Sequence, residues 1–151
     1  MTTTHQNTEQ TDSTRKIIEL YHNGWRNRDI DSIMAMFHDD IEYNDFSLNQ
    51  TFRLGELRNY ILSSLPKSPG DAITHGDRIR VDGHTGFIQY EHIMQGASYR
   101  SSEAITVKDS KVVKINEYGV LVSNKKKSPI SPSRPESQRL GLSARQLANL
   151  S

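Results

Sequence analysis

The sequence contains no cysteine among its 151 residues. Disulfide bonds are therefore excluded, and so are thiolate metal sites and thiol redox chemistry. Hydrophobic residues make up only 34% of the chain, and no run approaches the roughly 18 apolar residues that a membrane-spanning helix needs. The first residues also lack the apolar core of a secretory signal. These absences favour a soluble, cytoplasmic protein in which polar tails flank a smaller folded domain.

Charge is divided unevenly along the chain. The formal net charge is +1, but residues 123–151 hold six Lys and Arg against one Glu, whereas the rest of the chain holds 13 against 17 Asp and Glu. A mildly acidic body lacks the positive surface that proteins use to bind nucleic acid. We therefore expect no nucleic-acid contacts from residues 14–122 and no contact with a membrane.

The periodicity of apolar residues predicts an α+β domain. Residues 1–13 are rich in Thr, Gln and Asn and nearly free of apolar side chains, so we predict that they are disordered. Helical spacing then predicts two helices between residues 14 and 37 and a third after Gly55. A strand ending at Asp45 is inserted before the third helix. From Ala72 to Ser123 the period changes to two, which predicts an antiparallel sheet of four or more strands.

Four polar side chains share strand faces with apolar neighbours, namely Asp45, His92, Glu103 and Glu117. Burying a charge costs several kcal/mol unless it is paired, so three carboxylates on three strands predict a polar patch inside a cavity. The alternative is that one or two of them end a strand at the solvent rim. We interpret His92 as a hydrogen-bonded wall residue, because the six histidines show no spacing typical of metal ligands. No metal site is predicted.

Aromatic residues are placed to line the same cavity. They are core residues by default, but tyrosine and tryptophan carry polar groups that need partners when buried. A small pocket surrounded by such rings suits a flat or cyclic organic ligand. The candidates are Tyr21, Trp25, Tyr43, Tyr60 and Tyr90.

One pattern over these residues resembles a known family. From Tyr21 to Asp45 the sequence reads Y-x-x-x-W-x-x-x-D-x-x-x-I-x-x-x-F-x-x-D-I-x-Y-x-D, and a glycine then opens the third helix. This resembles the SnoaL-like and ketosteroid-isomerase-like branch of the nuclear-transport-factor-like superfamily over residues 14–122. The resemblance implies a cone-like fold, in which three N-terminal helices pack on a strongly curved antiparallel sheet with a pocket at its open end.

The resemblance also implies roles for individual residues if the protein is an enzyme. Asp45 falls where the ketosteroid isomerases keep their general base, Tyr21 where they keep an oxyanion-hole tyrosine, and Glu103 near their protonated acid. Such an isomerase or cyclase needs no cofactor. The sequence departs from that pattern because no proline follows Asp45 and because Glu117 adds a carboxylate.

The C-terminal residues point to a different class of protein. Residues 123–135 form a basic Ser/Pro linker, and residues 136–151 predict a short helix that starts at Ser143 and has Leu147 and Leu150 on one face. The stretch RLGLSARQLANLS resembles the junction to an AraC-type helix-turn-helix half, a domain absent from these residues. The alternative is an ordinary amphipathic helix that docks on the body or on a partner.

Two functions from different classes follow. The favoured hypothesis is a sensor-type domain that binds a small organic ligand, as the N-terminal half of a bacterial transcriptional regulator. Its ligand-binding residues would be Trp25, Tyr43, Tyr60, Tyr90, His92 and Glu117. The alternative hypothesis is the cofactor-independent isomerase or cyclase, with Asp45, Tyr21 and Glu103 as catalytic residues. A homodimer formed through the sheet is a further hypothesis.

Overall fold

The computed structural model describes residues 2–67, 72–94 and 96–124, with side chains for residues 4–67, 79–94 and 96–122. The predicted C-terminal helix and nearly all of the predicted linker lie outside the described residues. The elements are α1 (Thr2–Arg26), α2 (Ile30–Ala35), β1 (Phe37–Asp45), β2 (Gln50–Phe52), α3 (Leu54–Ser64), β3 (Ala72–Asp82), β4 (Thr85–Met94), β5 (Ala97–Lys108) and β6 (Lys111–Asn124).

The domain is α+β, as predicted, with helices packed on one curved sheet. The six strands lie in the order β2-β1-β6-β5-β4-β3. Register shifts interrupt the pairings of β1 with β6, β3 with β4, and β5 with β6, and such bulges bend strands and increase their twist. The sheet therefore has a concave face that the helices can cover.

Two details differ from the predicted cone. The sheet is not wholly antiparallel, because β1 and β6 pair in parallel. The long connection through α3 and the β3–β6 meander returns the last strand beside β1 in the same direction. The three helices that the resemblance places at the N-terminus are also divided by strands, as the position of the predicted first strand requires: α1 and α2 precede β1, and α3 follows β2.

The N-terminal segment also differs from the prediction of disorder for residues 1–13. Helix α1 already begins at Thr2. Its polar side chains find partners on the body: Thr11 Oγ1 accepts a hydrogen bond from Gly83 N in the β3–β4 turn at 3.0 Å. Gln10 Nε2 donates to Thr14 Oγ1 at 3.2 Å, and Thr14 is fully buried. A polar contact thus joins this part of α1 to the β3–β4 turn.

Helix α2 is shorter than predicted and ends before Phe37, which starts β1. Its N-cap is Asp29, whose side chain accepts hydrogen bonds from Ser32 N at 3.1 Å and Ser32 Oγ at 2.6 Å. The hydrogen bond from the Ser32 side chain, and to a smaller extent the one from its backbone, lowers the pKa of Asp29 because it stabilises the ionised carboxylate. The cap fixes the tight turn that brings α2 against α1.

The core lies between the concave face of the sheet and the three helices. It joins apolar side chains of every helix to those of β1, β4, β5 and β6, including Ile18, Ile33, Ile41, Leu57, Ile61, Ile88, Ile105 and Ile115. The polar residues considered below sit among these apolar side chains. Within the described part of the chain, no helix is long and apolar enough to cross a membrane.

Candidate functional site

Three carboxylates form a row across three neighbouring strands. Asp45 on β1 is the register partner of Glu117 on β6, and Glu117 is the register partner of Glu103 on β5. All three face the concave side and are buried: Asp45 is 1% exposed, Glu117 is 2% exposed and Glu103 is 0% exposed. Since adjacent strands lie about 4.8 Å apart, each carboxylate has another carboxylate as its direct neighbour. We call these residues the carboxylate row.

Each member of the carboxylate row accepts a hydrogen bond from a tyrosine. A phenol is a neutral donor, so it stabilises a buried carboxylate without adding a second charge to the interior. The three donors come from different elements, and tie the row to β1, α3 and β4. The pairs are Tyr43 with Glu117, Tyr60 with Asp45 and Tyr90 with Glu103.

Asp45 connects the row to two segments of the chain. Its Oδ2 atom accepts from Tyr60 Oη on α3 at 2.7 Å. Its Oδ1 atom accepts from Leu48 N, in the turn between β1 and β2, at 3.1 Å. Both oxygens of this buried carboxylate are therefore engaged, and together they tie the β1–β2 turn to the helix.

Glu103 lies at the other end of the row and contacts a histidine that the sequence-based prediction missed. His22 Nε2 is 3.3 Å from Glu103 Oε2, and Tyr90 Oη donates to Glu103 Oε1 at 2.6 Å. His22 is buried on α1. A signal was available, because position 22 is four residues after Ile18 and three before Trp25, which places it on the same helix face.

Tyr21 and Trp25 pack inside the apolar core. The Tyr21 ring lies 5.6 Å from that of Phe37, 6.5 Å from that of Trp25 and 5.3 Å from that of His22. Both residues are at most 2% exposed. One phenol that hydrogen-bonds Glu103 is that of Tyr90 on β4, a residue to which the family resemblance assigns no catalytic role.

His92 is a hydrogen-bonded residue of the concave wall. Its Nε2 atom lies 3.2 Å from Ser101 Oγ, and its ring is 5.1 Å from that of Tyr99. Burial raises the pKa of the Tyr99 phenol. Over the described residues, no group of three or more His, Asp or Glu side chains is arranged to hold a metal ion.

A groove opens beside the Asp45 end of the row, between β2 and α3. We call it the α3 groove; its volume is about 570 Å³. Two of its lining residues, Leu48 and Tyr60, are the hydrogen-bond donors to Asp45. The Tyr60 ring stacks on Phe52, with centroids 4.2 Å apart and planes at 23°. The full lining is Leu48, Gln50, Phe52, Gly55, Glu56, Asn59, Tyr60, Ser63 and Ser64.

The structure brings the nine sequence-predicted site residues to one side of the sheet, where six of them form the carboxylate row with its tyrosines. Asp45 with Tyr60, Glu117 with Tyr43, and Glu103 with Tyr90 form the three pairs of the row. Tyr21 and Trp25 belong to the core cluster, and His92 lies beyond Tyr90 on β4. Of the nine, only Tyr60 lines the α3 groove.

Comparison with known proteins shows a structural likeness without a close sequence relative. A candidate ketosteroid isomerase from Kribbella flavida has a TM-score of 0.64 at 14% identity over 83% of this chain and 92% of that chain. An NTF-2-like protein of unknown function from Burkholderia xenovorans has a TM-score of 0.63 at 16% identity over 79% of this chain and 89% of that one.

An LEH-like epoxide hydrolase from M. tuberculosis has a TM-score of 0.59 at 16% identity, over 73% of this chain and 84% of that chain. No protein-family model matches the sequence, and a search of curated proteins found no match. At these identities the likeness establishes the fold alone. The NTF2-like, ketosteroid-isomerase-like fold that the sequence resemblance implied is therefore confirmed.

Proposed function

We propose that this chain is a small-molecule-binding domain whose ligand lies in the α3 groove, against the Asp45 end of the carboxylate row. The observation that carries the proposal is that Asp45 accepts hydrogen bonds from both walls of the groove, Leu48 N and Tyr60 Oη. Walls fixed in advance lose less conformational entropy when a ligand binds. A volume of about 570 Å³ also falls within the roughly 300–1,000 Å³ typical of small-molecule sites.

The proposal is tested by mapping ligands onto the backbone by NMR. A panel of small cyclic ketones, alcohols and amines is titrated into ¹⁵N-labelled protein. We expect the amide signal of Leu48 to move with those of the groove-facing residues of α3, because the Leu48 N–H bonds Asp45 directly. Tyr60→Phe should change these shifts, whereas Tyr118→Phe, on the outward face, should not. Shifts confined to the outward face of the sheet would contradict the proposal.

An isomerase or cyclase is the second candidate, and one observation favours it. Asp45 and Glu103, which would act as general base and oxyanion acid, lie in the same buried row. Two contacts support binding over catalysis, however. Both Asp45 oxygens already accept hydrogen bonds from the protein, so a substrate proton would have to reach one of the remaining lone pairs of a buried carboxylate. Glu103 is fully buried, with Tyr90 on one oxygen and His22 beside the other, so its oxygens lie against protein groups rather than against an open pocket.

Asp45→Asn separates the two candidates. General-base catalysis is worth factors of about 10² to 10⁴, so an isomerase should lose turnover of a small cyclic enone by that factor while retaining binding. A binding domain should show no turnover in either form and should change in affinity or in ligand choice. We expect the second outcome. Double-bond isomerisation by the wild type that is lost in Asp45→Asn would reverse the ranking.

We propose further that the domain acts as the sensor of a transcriptional regulator. The support is the similarity of residues 139–151 to the junction before an AraC-type helix-turn-helix half, together with the basic charge of residues 123–151. Reading the coding sequence beyond the codon for Ser151 tests it. A helix-turn-helix sequence in the same frame supports the role, and a stop codon contradicts it.

A homodimer through the sheet is the last part of the proposal. The outward face of β6 presents Tyr118, Val120 and Val122, which are 57%, 56% and 51% exposed. Phe46, the residue after β1, stacks on Tyr118 with centroids 4.8 Å apart and planes at 16° and so extends this apolar strip. Exposed strips of this kind mark interaction surfaces. Sedimentation equilibrium should show a dimer that Val120→Lys dissociates; a monomeric wild type would contradict this.

A further inference from the structure

We infer that the ligand of the α3 groove is a small organic cation, such as an alkylammonium ion. The inference rests on the function proposed above for the same groove and adds the chemical class of the ligand. Three features of the groove carry it: the sign of the charges around its lining, the state of its aromatic wall, and the carboxylate behind that wall.

The lining of the groove is negative. Its only ionisable acid is Glu56 on α3, and neither lysine nor arginine is among the described residues that line it. The N-cap of α3, Arg53, and Arg58 within α3 are directed to other carboxylates: Arg53 Nη2 lies 3.7 Å from Glu42, and Arg58 Nη1 lies 3.0 Å from Asp31. An anionic ligand would therefore meet repulsion from Glu56 without a cation in the lining to offset it.

The aromatic wall is suited to a cation. The face-to-face pair of Phe52 and Tyr60 lines the groove, and cations are attracted to the faces of such rings. The Tyr60 hydroxyl donates to the Asp45 carboxylate at 2.7 Å. A phenol that donates to an anion gains electron density in its ring, because the O–H bond is polarised toward the acceptor. The Tyr60 ring is thereby a better partner for a positive charge than an isolated tyrosine.

The charge behind the wall has the same sign. Asp45 is 1% exposed and lies next to Glu117 in the carboxylate row. An ionised carboxylate in a low-dielectric interior is screened less than a surface charge, so its field extends into the adjoining groove. The aromatic wall, the lining and the buried carboxylate thus all favour a positively charged ligand. The hydroxyl and amide oxygens of the lining can also accept hydrogen bonds from an ammonium group; they belong to Gln50, Asn59, Ser63 and Ser64.

The test compares three probes of nearly the same size and shape but different charge. Tetramethylammonium, tert-butanol and pivalate are titrated separately into the full chain by calorimetry at low salt. We expect tetramethylammonium to bind at least about tenfold more tightly than tert-butanol, which corresponds to about 1.4 kcal/mol, and pivalate to bind more weakly than either. Raising the salt concentration should weaken the binding of tetramethylammonium only.

Charge variants locate the effect. Glu56→Gln should reduce tetramethylammonium affinity several-fold and leave tert-butanol affinity unchanged. Glu19→Gln is the matched control, because it makes the same change in net charge at an exposed position of α1 that does not line the groove. Circular dichroism and the thermal midpoint confirm that each variant is folded. Equal losses in both variants would show a general charge effect and would overturn the inference.

The remaining outcomes separate this inference from the function on which it rests. If tert-butanol or pivalate binds in the groove as tightly as tetramethylammonium, the cation preference is wrong and the small-molecule function stands. If tetramethylammonium shows no binding at millimolar concentration, the inference is overturned, and the NMR mapping with the wider panel decides the proposed function by itself. If no compound of that panel shifts Leu48 or α3, both are wrong.

Discussion

The hydrogen bond between Tyr60 and Asp45 should contribute measurably to stability as well as to the shape of the groove. Tyr60→Phe removes only the hydroxyl, whose Oη atom lies 2.7 Å from Asp45 Oδ2. A hydrogen bond to a charged group is worth about 1.5–3 kcal/mol. Because Tyr60 is half-buried whereas Asp45 is fully buried, we expect Tyr60→Phe to lower the free energy of unfolding by about 1.5–2 kcal/mol.

A double-mutant cycle isolates the part of this contribution that depends on the charge of Asp45, because the amide oxygen of an asparagine can still accept from Tyr60. Asp45→Asn alone is an ambiguous perturbation, since it weakens two hydrogen bonds but also relieves the repulsion from Glu117, the register partner. In the cycle, the effect of Tyr60→Phe is measured by urea denaturation both in the wild type and in the Asp45→Asn variant. We expect a coupling free energy of about 1–2 kcal/mol, within the range found for residues in contact.

The control for the cycle is Tyr118→Phe. It makes the same chemical change at a phenol that is 57% exposed in the single chain. Measured in the Val120→Lys background, in which the proposed dimer is dissociated, its effect should stay within about 0.5 kcal/mol. The reasoning is refuted if Tyr60→Phe costs no more than Tyr118→Phe, or if its cost is the same with and without the Asp45→Asn substitution.

Two further predictions concern the scaffold. A Cβ atom on Gly24 would lie 2.8 Å from Ile33 Cγ1, whereas one on Gly55 has no neighbour within 4 Å. Gly24→Ala should therefore destabilise the domain by about 1–3 kcal/mol in urea denaturation. Gly55→Ala, at a position within helix α3, should stabilise it by about 0.5–1 kcal/mol. A Gly24→Ala variant as stable as the wild type would contradict the α1–α2 packing. The pKa of Asp29 in the folded protein is lowered from its ordinary value of 3.8. Its ionised form therefore stabilises the fold at pH values above 3.8, and this stabilisation is lost as the pH falls through the folded-state pKa. Asp29→Asn keeps a capping side chain, so the wild type should be the more stable of the two in thermal melts at neutral pH, and this advantage should disappear in acid; an advantage that is independent of pH would refute the assignment.

The faces of the strands could be predicted from the sequence, but their register could not. A period of two places Asp45, Glu103 and Glu117 on buried faces, and the structure has them there. Periodicity carries no information on which residues of two strands are opposite each other. The three carboxylates align into one row because distant segments of the chain pair in a particular register. The same pairings determine which tyrosine donates a hydrogen bond to each carboxylate.

The misses have similar physical causes. The parallel pairing of β1 with β6 is a property of the whole topology, and no local pattern encodes it. The burial of His22 was not predicted because histidine is usually a surface residue. Only the helical spacing from Ile18 and Trp25 places it on the buried face of α1. The first residues of α1 are helical, and Thr11 accepts a hydrogen bond from Gly83. The prediction of disorder rested on the lack of apolar residues, which gives no information on polar contacts of this kind.

The most direct test of the central claim is a crystal structure of the chain with the tightest-binding compound of the NMR panel. The account predicts that this compound lies between β2 and α3, in contact with the rings of Phe52 and Tyr60, while Leu48 N still donates to Asp45. A compound bound elsewhere, with the α3 groove unoccupied, would contradict the claim that this groove is the functional site.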